Sequence, residues 1–547
     1  MPWPLSCWRP KLKKQIESSS FLLGFAKSRR SNYPALSIDQ DFTMRRAGIL
    51  LHPTSIPGGG PAGQLGDDTI QFLDFLARTG CTLWQVLPLQ PPGAGLSPYD
   101  SPSAFAMGTH LISLDRLVDD GLLKREELGD IPHRPNGVDR DALEHWHAPL
   151  VDRAAHRFAE NEPDAVDAFS REHVWAEDHA LYEVLRKEHR VDGWQQFPAP
   201  LANRDPGALE HAHHQFASRV RARIAAQLLV RRQWKAVLSA ARSRGIEVVG
   251  DVPIFVSGGG SDVWAKRHLF RGSSHPQNGS WRADPVTGVP PDYFSPTGQR
   301  WGNPHYAWDA HRADGFAWWR ARFDNALDLA DHVRIDHFRG FAAAWEISAD
   351  TSDATRGSWG PAPGRELFAA VREHLHGQLP FVAEDLGIIT PDVEALRDDF
   401  GLPGMKVLQF GFGGGDAHPF LPHSYPHANC MACTGTHDTD TVQGWYQSTD
   451  SRSQHRYRVY VGRDGTEPGW DFIRLAWASV ARWAVAPLQD VFNFDSTHRM
   501  NTPGTAEGNW LWRAPYLDFG AADRLRTMTE TYGRLASASV HAPGQQH

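Results

Sequence analysis

Acidic side chains close three short apolar stretches of this 547-residue sequence. Asp336 ends Val-Arg-Ile-Asp, Glu384 ends Phe-Val-Ala-Glu, and Asp438 follows Gly-Thr-His. Short apolar runs rich in β-branched residues are typical of buried strands in a parallel sheet. An acid at a strand end can simply cap the next helix, which is the structural explanation for each one alone. Three acids on strands that could converge favour a catalytic centre.

Cleavage of a glycosidic bond with retention of configuration requires two carboxyl groups about 5 Å apart. One attacks the anomeric carbon, the other protonates the leaving oxygen, and a third acid can stabilise the transition state. We expect Arg334, two residues before Asp336 on the same strand face, to keep that carboxylate ionised; a buried structural salt bridge is the alternative. Partial desolvation after an apolar run is expected to keep Glu384 protonated near neutral pH.

Predicted strands alternate with helical stretches along the chain, and the strands carry these acids. This alternation predicts an α/β fold, a (β/α)8 TIM barrel spanning residues 44–547. The eight predicted strands lie near Gly48, Trp84, Val249, Ile335, Ala383, Leu408, Cys433 and Leu488. The three acids therefore end the fourth, fifth and seventh strands of the prediction.

Two segments are too long to be ordinary connections between a strand and a helix. Residues at about 112–240 have helical character and are predicted to form an inserted helical subdomain. Residues at about 257–331 are rich in Gly, Pro and aromatic side chains, and we expect a loop-rich insertion that covers the substrate.

Residues 1–43 mix Lys and Arg with Ser and show little periodicity. We expect a disordered N-terminal extension that is dispensable for activity. A targeting segment and a start codon upstream of the true start at Met44 are both compatible with this composition.

Composition excludes several classes of protein. A formal net charge of -8 argues against a general affinity for nucleic acid or anionic membranes. Four cysteines are too few for a disulfide framework, and Cys430 and Cys433 lack the partners of a zinc site. No apolar run has the roughly twenty residues of a membrane-spanning helix. We therefore expect a soluble cytoplasmic protein without a metal or other cofactor.

Five blocks of the sequence resemble the amylomaltase family of 4-alpha-glucanotransferases, also called disproportionating enzymes, within the α-amylase-like group of retaining barrel enzymes. The resemblance extends from about Met44 to near Arg513. The five blocks are GVPPDYFSPTGQRWGNP, RIDHFRG, AEDLG, TGTHDTDT and RMNTPGTAEGNWLWR. Their occurrence in the family's order across several hundred residues makes coincidence a poor explanation.

The resemblance implies that Asp336 is the nucleophile, Glu384 the acid/base and Asp438 the stabiliser of the transition state. It also implies that Arg334 and His437 hold the donor sugar. Further residues that the resemblance places at the bound glucan are Tyr99, Asp251, Asp292, Tyr293, Phe294, Gln299 and Trp301.

Some positions depart from the family's pattern. Leu96 stands where an acid is frequent, Asp100 where Gln is frequent, and Pro296 where the loop over the glucan often carries an acid. Residues 257–260 read Ser-Gly-Gly-Gly, which is less polar than the family's usual sequence. We expect these changes to affect acceptor preference and to leave the core chemistry intact.

The predicted activity is transfer of an α-1,4-glucan segment to a new 4-position through a covalent glycosyl-Asp336 intermediate. The expected partners are maltooligosaccharides or other α-1,4-glucans as donors and glucose as an acceptor, with no obligate protein partner. An α-1,4-glucan hydrolase with the same carboxylates is the first alternative, and a non-catalytic glucan-binding protein is the second. A nucleotide-sugar glycosyltransferase is disfavoured because no Gly-rich phosphate loop adjoins a strand.

Overall fold

The computed structural model of the protein describes residues 44–93, 95–132, 134, 137–274, 280–291, 295–413, 418–505 and 507–535. The predicted N-terminal extension, residues 1–43, lies outside the described residues.

Eight parallel strands close into a barrel in which each strand pairs with its neighbours in chain order and the first strand pairs with the eighth. The predicted (β/α)8 barrel is therefore confirmed. The strands are β1 Arg46–Leu50, β2 Leu83–Gln85, β3 Glu247–Val252, β4 His332–Ile335, β5 Phe381–Ala383, β6 Gly404–Val407, β7 Cys430–Cys433 and β8 Trp483–Pro487.

Two strands end earlier than their predicted positions. The eighth strand was predicted around Leu488, but β8 ends at Pro487 and Leu488–Val491 is a helix. The sixth prediction likewise ran past β6 into the 3-10 turn Leu408–Gly411. In both places the apolar run continues beyond the strand, and hydrophobicity alone does not mark where a buried strand becomes a buried helix.

Helices surround the barrel and occupy the connections between its strands. The α-helices are Asp67–Arg78, Leu114–Asp119, Arg140–Ala142, Ala148–Asn161, Pro163–Glu172, Ala176–His189, Ala199–Ala202, Pro206–Gln215, Ala217–Arg242, Ser261–Ala265, Trp308–Ala313, Ala317–Leu329, Gly364–His374, Pro391–Asp399, Val442–Ser448, Ser451–Val461, Pro468–Ala478, Leu488–Val491 and Phe519–Thr531. Within the described residues, none of these helices has the length and apolar character needed to cross a lipid bilayer.

The connection between β2 and β3 is mostly helical. Its longest helix, Ala217–Arg242, packs against Ala148–Asn161 and Ala176–His189. This helix is rich in Ala, Leu and Arg, which favour helical backbone, and its apolar side chains are buried against its neighbours. Helices thus make up most of this segment, and its assignment as an inserted helical subdomain stays a prediction.

The connection between β3 and β4 is less loop-like than expected, because it ends in the helices Trp308–Ala313 and Ala317–Leu329. Its earlier part contributes to an antiparallel sheet of four strands, in the spatial order Ser358–Pro361, Ala343–Ile347, Val286–Val289, Gln299–Pro304. A pair of short strands, Gly272–Ser274 and Trp281–Ala283, lies in the same connection.

Candidate active site

Three acids follow three different strands of the barrel. Asp336 comes directly after β4, Glu384 directly after β5, and Asp438 lies on the loop after β7. Because all eight strands are parallel, these positions share the carboxyl end of the barrel, where enzymes of this fold place their reactive groups. The strands β4 and β5 are hydrogen-bonded neighbours, so Asp336 and Glu384 emerge side by side.

A buried arginine joins two carboxylates beneath the site. Arg334 Nη1 lies 2.9 and 2.7 Å from the two carboxylate oxygens of Asp251, and Nη2 lies 2.8 Å from Asp336 Oδ1. The Tyr99 hydroxyl donates to Asp251 Oδ2 at 2.7 Å. The side chain of Asp251 is fully buried, whereas 27% of the Asp336 side chain is exposed. The ion pair therefore orients Asp336 and leaves its carboxylate accessible to a substrate.

Glu384 is held by two backbone donors. The N–H of His337 donates to Glu384 Oε2 at 2.7 Å, and the N–H of Leu386 donates to Oε1 at 3.1 Å. Burial raises the pKa of Glu384 to about 8, and the charge of Asp336 adds to this while Arg334 opposes it. At neutral pH Glu384 is therefore mainly protonated, as a general acid must be.

Asp438 is the most exposed of the three acids, with 47% of its side chain accessible. The Asn501 side chain donates to Asp438 Oδ1 at 2.6 Å, and Arg499 donates to the Asp438 main-chain oxygen at 2.7 Å. His437 Nε2 lies 3.4 Å from Asp438 Oδ2. These contacts fix Asp438 from the loop that follows β8.

An aromatic group lies beside Asp438. The rings of His437 and Tyr99 stack with centroids 4.9 Å apart, and Trp510 is tilted 5.7 Å from Tyr99 and 5.8 Å from His437. Burial lowers the pKa of His437, so its imidazole is neutral near pH 7 and offers both a donor and an acceptor. Flat rings with polar edges can pack against the face of a sugar ring and form hydrogen bonds with its hydroxyl groups.

The predicted covering loop is described only in part. Trp301 is 38% exposed, and its ring lies edge-on to His337 at 4.8 Å between centroids. The Trp301 indole N–H donates to Gln299 Oε1 at 3.1 Å. The structure thus places Gln299 and Trp301 next to the turn that follows Asp336. The predictions for Asp292, Tyr293 and Phe294 fall outside the described residues.

Several contributors to the site were not predicted from the sequence. Asn501 and Trp510 both lie in the block RMNTPGTAEGNWLWR, which was recognised without roles for its residues. Its position directly after the eighth predicted strand is a signal that could have assigned it to the site. The main-chain donor of His337 has no such signal, because any residue carries an N–H.

Nothing in the described part of the chain groups three or more His, Cys, Asp or Glu side chains in a way that could hold a metal ion. Cys430 and Cys433, considered above as a metal motif, are buried free thiols on β7.

A parallel eight-stranded barrel with two neighbouring carboxyl groups at its strand ends is an arrangement typical of retaining barrel enzymes that act on glycosidic bonds. A family model described as 4-alpha-glucanotransferase matches residues 51–518. The 4-alpha-glucanotransferase of Thermus thermophilus is 44% identical over 510 residues, covering 90% of this chain and 99% of that protein. The chloroplastic/amyloplastic enzyme of Solanum tuberosum is 42% identical over 510 residues, covering 90% of this chain and 87% of that protein.

Solved structures agree with these relatives. Amylomaltase from Streptococcus agalactiae in complex with acarbose is 34% identical with a TM-score of 0.85, covering 90% of this chain and 100% of that one. The chain belongs to the 4-alpha-glucanotransferase family. Its activity is the transfer of a segment of an α-1,4-glucan to a new 4-position of a carbohydrate acceptor.

Proposed function

We propose that the transfer proceeds by a retaining double displacement in which Asp336 is the nucleophile and Glu384 is the acid/base. The single observation that carries the proposal is the pairing of a partly exposed carboxylate, oriented by Arg334, with a carboxyl group on the neighbouring strand whose pKa is raised to about 8. Asp336 is suited to attack the anomeric carbon and Glu384 is suited to donate a proton, and a retaining mechanism requires both roles.

In the first step, Asp336 Oδ attacks the anomeric carbon while Glu384 gives its proton to the leaving glycosidic oxygen. The C–O bond breaks, the reducing-end fragment departs as an alcohol, and a glycosyl ester with Asp336 remains. In the second step, the Glu384 carboxylate removes a proton from the 4-hydroxyl of an acceptor sugar. That oxygen displaces Asp336 from the anomeric carbon, so the configuration is retained and Glu384 is again protonated.

We infer that Asp438 stabilises the oxocarbenium-like transition state, since its position beside His437 brings a negative charge to the donor sugar. Arg334, His437, Tyr99 and Asp251 then form the donor site, with Gln299 and Trp301 over the bound glucan. The same role is proposed for Asp292, Tyr293 and Phe294, which adjoin this segment in the sequence.

The proposed donors are maltooligosaccharides and other α-1,4-glucans, and glucose is a proposed acceptor, without an obligate protein partner. Transfer exceeds hydrolysis when a bound acceptor sugar is held in line for attack and water is not. The alternative function is an α-1,4-glucan hydrolase, in which water attacks the intermediate in place of an acceptor sugar.

The proposed compartment is the cytoplasm, supported by the three free thiols of Cys81, Cys430 and Cys433. We propose that residues 44–547 form the catalytic barrel, with insertions at about 112–240 and 257–331.

The nucleophile is tested by trapping the glycosyl ester. The variant Glu384→Gln lacks the acid and the base, but α-maltosyl fluoride has a leaving group that departs without protonation. We expect a maltosyl adduct on Asp336, located by mass spectrometry of peptides. An adduct on another residue, or none, contradicts the mechanism.

Product analysis tests the overall reaction. We expect wild type to convert maltotriose into glucose and a ladder of longer maltooligosaccharides, and Asp336→Asn to lose this activity by at least about a thousandfold. Asp309→Asn, at a fully solvated position with 99% side-chain exposure, is the matched control and should retain it. Glucose and maltose as the sole products would indicate the hydrolase.

A further inference from the structure

Two tryptophans of the described residues are exposed, and both lie on the four-stranded sheet. Trp301 is on the edge strand Gln299–Pro304, and Trp359, 36% exposed, is on the opposite edge strand Ser358–Pro361. Trp359 is paired across the sheet with Trp345, whose ring lies 5.2 Å away at an interplanar angle of 64°. Trp345 thus packs against Trp359 and still leaves it exposed.

One face of Trp359 is covered by a guanidinium group. The Arg339 Cζ atom lies 3.7 Å from the centroid of the Trp359 ring, and Arg339 itself is buried. Stacking of this kind fixes the ring, while part of the indole remains exposed. Trp359 therefore presents a flat apolar surface that is held in place and accessible to a further contact.

Arg339 connects this surface to the segments that follow β4 and β5. Arg339 lies three residues after Asp336, and its Nη1 donates to the Ile388 main-chain oxygen at 2.7 Å. Ile388 lies four residues after Glu384, and its side chain is 48% exposed. The indole and the Ile388 side chain accordingly stand where the chain leaves β4 and β5, beyond the nucleophile and the acid/base.

The position indicates which part of a glucan would reach this surface. A general acid donates to the leaving oxygen, so the loop that follows Glu384 lies toward the leaving group, whereas Tyr99, His437 and Asp251 stand on the side of the donor ring. We propose that Trp359, flanked by Ile388, is a stacking platform for a glucose unit of the leaving or acceptor glucan, beyond the sugar that reacts. This inference rests on the proposed function and adds a binding residue that selects longer acceptors.

The indole face matches the C–H face of a pyranose ring, and the contact needs no particular hydroxyl pattern. An acceptor of a single glucose is too short to reach a second sugar position. Trp359 should therefore improve the binding of maltotetraose as an acceptor and contribute much less to that of glucose.

The test measures the acceptor KM with soluble amylose as the fixed donor. We expect Trp359→Ala to raise the ratio of the KM for maltotetraose to the KM for glucose at least fivefold. Trp359→Phe, which keeps a smaller ring over Arg339, should give an intermediate ratio. The matched control is Phe519→Ala, because Phe519 is also exposed and stacked by an arginine, Arg78, but packs against the outer helix Asp67–Arg78.

An unchanged ratio in Trp359→Ala overturns the platform, and so does a rise that appears only in the KM for the amylose donor. An equal rise for both acceptors also overturns it, because that outcome indicates a general disturbance of the site. Absence of the maltosyl adduct on Asp336 in Glu384→Gln would instead contradict the proposed mechanism, whatever the ratio of the two acceptor KM values. The two failures are therefore distinguishable.

Discussion

Arg334 connects Asp251, a residue of the proposed donor site, to the proposed nucleophile. It is buried, and it contacts the carboxylates of Asp251 and Asp336 at the same time. Burial by itself lowers the pKa of this guanidinium, but the two carboxylates raise it well above its ordinary value. Replacing Arg334 would leave the buried Asp251 without its ionic partner, which is costly in a desolvated position. Arg334 thus both stabilises the fold and orients Asp336.

The pKa of a single residue, Glu384, predicts how the reaction depends on pH. The pKa of Glu384 is raised to about 8, chiefly by burial, so the proton needed for the first step is present below that pH and lost above it. We expect kcat/KM for maltotriose to fall about tenfold per pH unit beyond pH 8. The measurement is a rate profile from pH 6 to pH 10, with the melting temperature recorded at each pH to exclude unfolding.

A decline with a midpoint near the ordinary carboxyl range would contradict this assignment. So would a rate that stays level to pH 10, because a deprotonated Glu384 cannot act as the acid.

The loop between β7 and the helix Val442–Ser448 carries His437 and Asp438, and a single buried carboxylate holds both of its ends. The Thr434 hydroxyl donates to Asp490 Oδ2 at 2.5 Å, and the Val442 N–H donates to Asp490 Oδ1 at 2.8 Å. Asp490 follows β8 and is 1% exposed. It is therefore a positioning residue that acts on the site through this loop.

We predict that Asp490→Ala lowers kcat at least tenfold and destabilises the protein by roughly 2–5 kcal/mol, because two buried donors lose their acceptor. Asp490→Asn keeps one acceptor oxygen and should recover most of kcat. The measurements are maltotriose kinetics and denaturant unfolding.

The matched control for a merely structural effect is Asp471→Ala. Asp471 is also buried, but it lies on the helix Pro468–Ala478 and its partners are the Tyr457 hydroxyl, at 2.6 Å, and Arg463, which are not part of the loop. It should lose stability while kcat of the folded fraction stays close to wild type. Equal losses of kcat in both alanine variants would contradict a positioning role for Asp490.

At the scale of the whole molecule, barrel closure assembles the site from distant parts of the chain. The β1 strand pairs with both β2 and β8, so it closes the barrel between its second strand and its last strand. Arg45 strengthens this closure by donating to the main-chain oxygens of Ser479 and Trp477. The first residues of β1 are therefore needed for the barrel.

We predict that a shortened protein beginning at Met44 retains transfer activity within a factor of about two, since the residues proposed for the site lie between Tyr99 and Trp510. A protein beginning at Gly48 lacks Arg45 and the first two residues of β1 and should fail to fold. Expression of both, followed by the maltotriose assay, is the check. A large loss in the protein that begins at Met44 would show that residues 1–43 contribute to activity.

The amino-acid sequence determined the barrel and the location of its acids. Each strand is a local apolar run, and an acid directly after such a run lies at the carboxyl end of a parallel sheet by chain direction alone. The strand register of Arg334 and Asp336 likewise followed from the two-residue period. These features depend on neighbours in the sequence, so they could be predicted before any contact was known.

The contacts that hold and cover the acids join residues far apart in the sequence. Asn501 reaches Asp438 across 63 positions, and Tyr99 reaches Asp251 across 152. The N–H of His337 donates to Glu384 from a turn in which His337 has a positive φ of 50°, a conformation that L-residues seldom adopt and that surrounding contacts must enforce. The stacking of Arg339 on Trp359 depends in the same way on sheet packing. Contacts of this range follow from the register of the closed barrel and the paths of its loops, and no local pattern encodes them.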